Sequence, residues 1–598
     1  MSEFDVIVLG LGHAGVEACL AAARMGCRVV GVTQALERTG LMSCNPAVGG
    51  PGKSQLVAEI DALWGAMALA ADESGLQYRV LNRSKGPALR ATRVQVDRLA
   101  YARAIQRQLS GQPRVTLIQG EGCGLVMRNG SLAGVTLQSG QMLQGRAVVV
   151  TAGTFLAGRM HIGSSVEPGG RAGDPPAEGL SGALREVGLK LGRFKTGTPP
   201  RLDGRTIDYA KCCEQLSEAD AGPLSARTAG AGHPRLAQKA TYVTHTTAAT
   251  HAVVRANLAA SPLLTGAITG RGPRYCPSLE HKVSGHPDRE RHLVFLEPEG
   301  AAGFLVYPAG LSTSLPVEVQ EELLRTIPGL EAVVIARPGY AVEYDYVPAL
   351  QLDGSLEARC CPGLFLAGQI NGSSGYEEAA GQGLVAGINA ALQVVGKPSW
   401  IPLRSESFLG VLCDDLTCRG FDEPYRVLPA RADDRLFLRE DNASLRLWRA
   451  ARDLALVPEG RWKSVERLES HAGALESRLG TECLRWFRRP ETTLEEAAER
   501  IGEGVPPDVL CAVYLRQRYE PYRRQQGVAE RRLQEQSAQP IPEGFEFRVV
   551  GLSNEAAMAL RRARPRTLGE ARRVPGMTVS ALAVLAAQLQ RRAMRAID

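Results

Sequence analysis

The stretch from Asp5 to Thr33 constrains the fold more than any other part of the chain. DVIVLG is a short apolar run rich in β-branched residues, GLGHAG follows, and VEACLAAARMG carries a helical pattern that stops at Gly26. CRVVGVT then reads as a second strand. Strand, glycine bend, helix and strand in that order make a βαβ unit, which calls for a parallel sheet. Within the bend, Gly10-Leu11-Gly12-His13-Ala14-Gly15 fits GxGxxG. The first glycine permits the tight turn, the second lets the backbone approach a pyrophosphate, and the third permits close helix–strand packing. A phosphate placed there meets free N–H groups at the helix start. A glycine turn without a ligand would show the same letters; the βαβ setting favours the dinucleotide. The second strand ends in Thr33-Gln34, with no acid to hold a ribose hydroxyl and Glu37 slightly late. The adenosine contact therefore stays open.

A second cradle lies far along the chain. Gly368-Gln369-Ile370-Asn371-Gly372 follows the strand-like GLFLAG and precedes a helix beginning near Tyr376-Glu377. A helix start can stabilise an anionic flavin ring or its phosphates. Two helix starts at the two ends of an α/β unit suit an extended ligand such as FAD. Residues 113–152 read as short strands with turns at Asn129-Gly130 and Ser139-Gly140. Such an antiparallel meander is common in FAD proteins of the glutathione-reductase type. Residues 205–290 are polar and weakly periodic, as an insertion would be. Beyond about 400 the glycine density falls and helical patterns dominate. The expected fold class is α/β: a Rossmann-like FAD-binding domain in two parts, 1–204 and 291–400, with an inserted domain at 205–290. A helical domain at 401–544 and a smaller helical unit at 545–598 complete it.

Charge excludes little. Against 63 acidic residues the 598-residue chain carries 70 basic ones, a net +7 that permits a nucleic-acid partner without demanding one. Only nine of the basic residues are Lys. Genomic base bias accounts for that preference, and the planar fork of Arg also suits phosphate. The 13 cysteines include no CxxC pair and no Cys/His cluster of zinc spacing. A reduced, cytoplasmic protein without a metal site fits this usage. The start enters a strand at once, with no basic stretch and no apolar core, so no secretory signal is expected. No uninterrupted apolar run reaches the roughly 18 residues of a membrane span.

Several long motifs occur in one order. They are MSCNPAVGG (42–50), SKGPALRATRVQVDR (84–98), GGRAGDPP (169–176), FKTGTPPR (194–201), RYCPSLEHK (274–282), RPGYAVEYD (337–345) and GQINGSSGYEEAAGQGLVAG (368–387). FLGVLCDDL (408–416), REDNASLRL (439–447) and GLSNEA (551–556) extend the series. Together they resemble the GidA/MnmG proteins, which modify tRNA uridine at C5, from residue 4 to about 595. The resemblance implies FAD, NADH as reductant, and 5,10-methylenetetrahydrofolate as the one-carbon source. It implies tRNA as substrate, with an aminomethyl or carboxymethylaminomethyl group added at the wobble uridine. A homodimer and a partner GTPase, MnmE, docked on the C-terminal helical unit, are implied as well. By resemblance, Gly10 to Gly15, Ser181, Gly368 and Gln369 bind the flavin. So does the NAD assignment rest on resemblance: it falls on Gly272-Pro273-Arg274-Tyr275-Cys276-Pro277-Ser278-Leu279-Glu280-His281-Lys282-Val283-Ser284-Gly285-His286, which has no dinucleotide fingerprint.

Uridine C5 is a poor nucleophile. Thiolate addition at C6 turns the ring into an enolate that attacks an electrophilic carbon; alternatively, a cysteine carries or activates the one-carbon unit. Either role needs a thiolate, and an ordinary cysteine titrates near about 8.5. Cys44 and Cys276 are the catalytic candidates, because both lie in polar glycine- or proline-rich loops and match cysteines of the family's motifs. Arg274 and Lys282 place positive charge around Cys276, which favours a thiolate and suits tRNA phosphate. Cys19 and Cys27, on or near the first helix, read as small buried hydrophobes. Two departures stand out: His281 replaces the family's usual Asp in an SIEDK-type run, and 429–435 reads PARADDR where SRAEYRL-like runs are usual.

From 545 to 598 there are ten Arg and four acids. Leu582, Leu585 and Leu589 form an apolar stripe behind a Thr578 cap, with a Pro575-Gly576 turn before it and Arg591, Arg592 and Arg595 at the helix end. Core packing, tRNA phosphates and the partner compete for this unit. Tyr514, Tyr519 and Tyr522, interleaved with Arg523 and Arg524, suit an RNA contact or a solvated helix face. Two other readings of the whole chain remain: a flavin- and folate-dependent tRNA uridine-5-methyltransferase, which lacks a comparable helical end, and a flavin-stabilised RNA-binding scaffold without turnover. A disulfide reductase is disfavoured, since the first helix carries no CxxxxC.

Overall fold

The first βαβ unit forms where the apolar pattern places it: β1 is Glu3–Leu9, α1 is His13–Arg24 and β2 is Val29–Thr33. The structure is a computed structural model that describes residues 3–228, 232–274, 277–574 and 577–595. β1 lies parallel to β2, with Val6 opposite Val29, and parallel on its other side to Met142–Val150, with Val6 opposite Ala147. Val115–Gln119 adds in parallel beyond β2, and Leu364–Leu366 runs parallel to the end of Met142–Val150. Gly122–Arg128, Ser131–Leu137 and the start of Met142–Val150 form the antiparallel meander. Val115–Gln119 does not belong to that meander. The helix Arg98–Ser110 precedes it, and a helical crossover delivers a parallel strand.

Two further helices lie near the glycine bend, one of them (Tyr376–Val394) packing on α1 and on the sheet itself. α2 (Lys53–Ala62) follows the loop that carries Cys44, and α3 (Tyr376–Val394) follows the second cradle. α1 and α3 approach closely because Gly383 and Gly387, four apart on α3, face Ala14 and Ala18, four apart on α1. A Cβ at either glycine would run into the α1 backbone. Val6, Ile7, Val8, Val148, Val149 and Leu384 are fully buried in this core.

A second, antiparallel sheet has its own core, built on Leu202, Val294, Leu296, Val306 and Leu323. Its six strands lie in the order Cys213–Gln215, Thr241–His245, Leu293–Pro298, Leu305–Ala309, Arg201–Asp203, Ile335–Arg337. It therefore takes strands from both sides of the 205–290 stretch. The chain enters it from Gly192–Thr198 and leaves it into Tyr340–Tyr346, and these two strands pair with each other.

Beyond residue 400 the structure is helical. Tyr514 and Tyr519 are buried, and only Tyr522 of the three is exposed. The Tyr514 hydroxyl donates to the Thr492 carbonyl at 2.6 Å, and the Ala88 N–H donates to the Tyr519 hydroxyl at 3.1 Å. Tyr519 thus docks the helical domain on the SKGPALR segment; neither it nor Tyr514 presents a ring to RNA. Near the C-terminus, Leu560, Leu582, Leu585 and Leu589 form a separate small core. The Thr578 hydroxyl accepts from the Ala581 N–H at 3.1 Å, as a helix cap does. Pro575, Gly576 and the side chains of Arg592 and Arg595 lie outside the described residues. Among the described residues no helix is long and apolar enough to cross a membrane.

Candidate active site

The glycine bend is pinned from the neighbouring strand. The Thr151 hydroxyl lies 3.0 Å from the Leu9 carbonyl and 2.8 Å from that of Gly10, and Gly10 adopts φ +96°. A Cβ at Gly15 would strike the Gly10 carbonyl, whereas a Cβ at Gly12 would meet no atom within 4 Å. The first and third glycines are thus crowded by protein, and the middle one faces open space, which is the arrangement a diphosphate requires. The bend opens into a cavity of about 530 Å³, a size suited to a cofactor. Gln34, Glu121, Gln369, Gly375 and Tyr376 are among the residues that border it. These residues fit an extended dinucleotide such as FAD.

The adenosine contact left open by the sequence has a candidate. The Gln34 side-chain amide donates to Glu121 at 2.9 Å. Glu121 follows the strand Val115–Gln119 and brings a carboxylate to the cavity from outside the βαβ unit. No local pattern announces it, since its role depends on which strand lies beside β2.

At the start of α1, His13 stacks on Tyr376 with ring centroids 4.5 Å apart. Burial, aided by the Lys53 charge and opposed by that of Glu377, pushes its pKa down to about 4. The first turn of α3 carries two buried carboxylates. The Lys53 ammonium donates to Glu377 at 2.6 Å and lies 3.6 Å from Glu378. Backbone N–H groups of Gly49 and Val427 donate to Glu377 and Glu378 at 2.9 and 3.1 Å. Burial alone would raise the Glu377 pKa, but Lys53 and its hydrogen bond hold it below the ordinary value; for Glu378 burial wins, and its pKa is raised.

Cys44 lines the same cavity as the glycine bend. It is clamped from three elements distant in sequence. Its N–H donates to the Tyr376 hydroxyl at 2.6 Å, and its carbonyl accepts from the Arg201 guanidinium at 3.1 Å. Its Sγ lies 3.1 Å from the Tyr307 hydroxyl, at the cavity-facing side of Leu305–Ala309. Arg201 is itself buried and donates to Glu299 at 2.5 Å. Cys276 and its neighbour Tyr275 lie outside the described residues. Of the other candidates, Gly10, Leu11, Gly12, His13, Ala14 and Gln369 border the cavity. Ser181 is buried and donates to Asp345 at 2.9 Å, while its neighbour Leu180 reaches the wall. Gly368 turns the chain with φ +90° and donates its N–H to Gln382.

The segment 272–286 ends in the short helix Leu279–Gly285. Glu280 faces inward, where it accepts from Thr313 and Ser314 at 2.9 and 3.0 Å. His281 contacts Ser278 at 3.1 Å; burial and then Lys195 keep its pKa below the ordinary histidine value. Lys282 donates to the Gly310 carbonyl at 2.8 Å, and Gly310 is part of the cavity wall. Arg274 is exposed and pairs with Glu423 at 3.0 Å. In the 429–435 run, the Arg431 guanidinium lies over the rings of Phe421 and Tyr425. Among the described residues no group of three or more His, Cys, Asp or Glu is placed to hold a metal ion.

Comparison with known proteins adds a family frame. A family model described as glucose inhibited division protein A matches residues 5–398. A second, described as the tRNA modifying enzyme MnmG/GidA C-terminal helical bundle, matches residues 529–597. Two crystal forms of Aquifex aeolicus GidA are similar along nearly the whole length. Form I matches at 42% identity with a TM-score of 0.85, covering 98% of this chain and 100% of the other. Form II matches at 41% with a TM-score of 0.84, covering 98% of each.

Proposed function

The chain belongs to the GidA family of FAD-dependent enzymes that modify uridine in tRNA, and from that premise we propose that it builds an aminomethyl or carboxymethylaminomethyl group on C5 of the wobble uridine. NADH is the reductant and 5,10-methylenetetrahydrofolate the one-carbon donor. The enzyme works as a homodimer in the cytoplasm, with a partner GTPase of the MnmE type docked on the C-terminal helical unit. The observation that carries this reading is the placement of Cys44 on the wall of the cavity into which the glycine bend opens.

Bound FAD supplies two-electron redox chemistry at that cavity. The protein's part is to hold and activate. Gly10 to Gly15 and the start of α1 take the diphosphate, Gln34 and Glu121 take the adenosine end, and Gln369 with the α3 start takes the ring end. A thiolate, from Cys44 or Cys276, adds to uridine C6. The Sγ–C6 bond forms as the C5–C6 π pair moves onto C5 and O4. C5 then bonds the methylene carbon carried by the folate nitrogen; loss of the C5 proton expels that nitrogen and leaves an exocyclic methylene, and addition of the ammonia or glycine nitrogen to it expels the sulfur from C6. Arg274 and Lys282 serve tRNA phosphate. The segment 272–286 serves NADH, a reading supported by family resemblance.

Mass analysis of wobble nucleosides tests the proposal. Wild-type protein supplied with NADH, the folate, glycine or ammonium and its partner should add the aminomethyl-type mass, and Cys44→Ser should lower the rate at least a hundredfold while keeping its flavin. A product heavier by a methyl group alone would instead identify a uridine methyltransferase. Full activity in Cys44→Ser would remove that cysteine from the chemistry.

A further inference from the structure

We propose that Tyr307 is the positioning residue for Cys44, holding its sulfur toward the cavity and donating to it once the thiol has given up its proton. The inference rests on Cys44 being a reactive thiol, as argued above. Two observations carry it. The Tyr307 hydroxyl and the Cys44 Sγ are 3.1 Å apart, close enough for either to donate, and both groups lie on the cavity wall. Tyr307 is otherwise buried, so its hydroxyl is presented at that surface by a packed ring. When the sulfur is protonated, its S–H has the phenol oxygen, the Thr198 hydroxyl and the Gly197 carbonyl as acceptors. When it is a thiolate, the phenol O–H turns to the sulfur, a charge-assisted hydrogen bond that neutral partners cannot match.

The surroundings reinforce this exchange. The Arg201 guanidinium carbon lies 4.7 Å from the centre of the Tyr307 ring, and a cation over a phenol ring draws electron density from its oxygen and makes it a better donor. The same Arg201 donates to the Cys44 carbonyl, so one side chain fixes both partners. The groups facing Cys44 are Tyr376 from α3, Tyr307 from Leu305–Ala309, Thr198 from Gly192–Thr198 and Arg201, which is neutralised by Glu299, itself also paired with Arg98. Thr198 Oγ1 at 3.9 Å and the Gly197 carbonyl at 4.0 Å also accept from the sulfur, but both lie farther than the Tyr307 hydroxyl. The Cys44 loop ends in Gly49, Gly50 and Gly52, all at positive φ. Without side-chain clamps, the thiol of such a loop would sample many positions.

The test is alkylation of Cys44 by iodoacetamide in the full-length, flavin-loaded protein, read by peptide mass spectrometry from pH 6 to pH 9.5. In Tyr307→Phe the ring stays and the hydroxyl goes. Its alkylation curve should move about one pH unit to the alkaline side, with Cys44 reacting about tenfold more slowly at pH 7 and the alkaline plateau unchanged. The kcat for tRNA should fall by a similar factor with KM unaltered. Replacing Tyr307 by 3-fluorotyrosine, a stronger donor of the same shape, should move the curve the other way, and it keeps the test valid if the Phe protein folds poorly. Superimposable curves for the wild-type and altered proteins would overturn the assignment. Retained tRNA modification in Cys44→Ser would instead count against the reaction proposed above, leaving the alkylation comparison to stand by itself.

Discussion

His13 occupies the x position that follows Gly12, where sequence alone allows any residue. Its burial against Tyr376 keeps it neutral in the fold. An unfolded histidine titrates near about 6.5, and in the fold this one is held down to about 4. Between those values the unfolded chain binds the extra proton, so acidification favours unfolding. The stability carried by neutral His13 is present above the unfolded value and lost as pH falls through the window toward the folded one, up to about 3 kcal/mol. Urea midpoints should therefore drop between pH 6.5 and pH 4.5, and a His13→Leu variant should show a shallower pH slope. An equal slope in both proteins would show that other groups set the acid limit.

At the scale of elements, two helices meet through charge as well as through packing. α2 contributes Lys53, partly exposed, and the first turn of α3 contributes Glu377 and Glu378, both buried. Acidic residues in a first turn favour the helix dipole, but buried ones need a cation. Lys53→Met removes it and leaves two carboxylates without a partner charge. The expected cost is about 3–5 kcal/mol, the range for breaking a buried pair. Adding Glu378→Gln to that variant should restore part of the loss, because Glu378 is the carboxylate whose charged form burial opposes. Denaturant unfolding of both variants, followed by release of flavin fluorescence, measures the two steps. If the single variant is as stable as wild type, the cluster contributes no structural support to the cavity.

The whole molecule is assembled from several distinct hydrophobic cores. The last one, around Leu560, Leu582 and Leu585, joins the rest through contacts such as the Val579 N–H to Asp433 at 3.1 Å and Arg431 with Glu555 at 3.5 Å. Truncation after Glu535 should then leave the flavin spectrum and the cavity intact while ending capture of the partner GTPase. Absorbance and pull-down on the same preparation read both outcomes. Loss of flavin from the truncated protein would show that the C-terminal unit supports the cofactor domain.

Local chemistry made the βαβ unit, the second cradle and the helical end legible in the amino-acid sequence. A glycine at φ +96°, an apolar run of β-branched residues and a Thr cap act within a few residues of themselves, so their spacing is their signal. Cys44 stood out for its loop and its family motif, but its partners did not. Tyr307 is 263 positions away and Tyr376 is 332. The same holds for Lys53 and Glu377, 324 apart, and for Glu121, whose place at the cavity depends on Val115–Gln119 joining β2 in parallel instead of continuing the meander. Tyr514 and Tyr519 looked like surface aromatics because charges flank them, and the packing of one helix on another buried them. Hydrophobic burial sets which elements lie side by side, and hydrogen bonds form only between groups that burial has already brought within 3 Å or so. The sequence by itself therefore determined the fold class and the cofactor bend; only the tertiary structure decided which side chains surround the thiol.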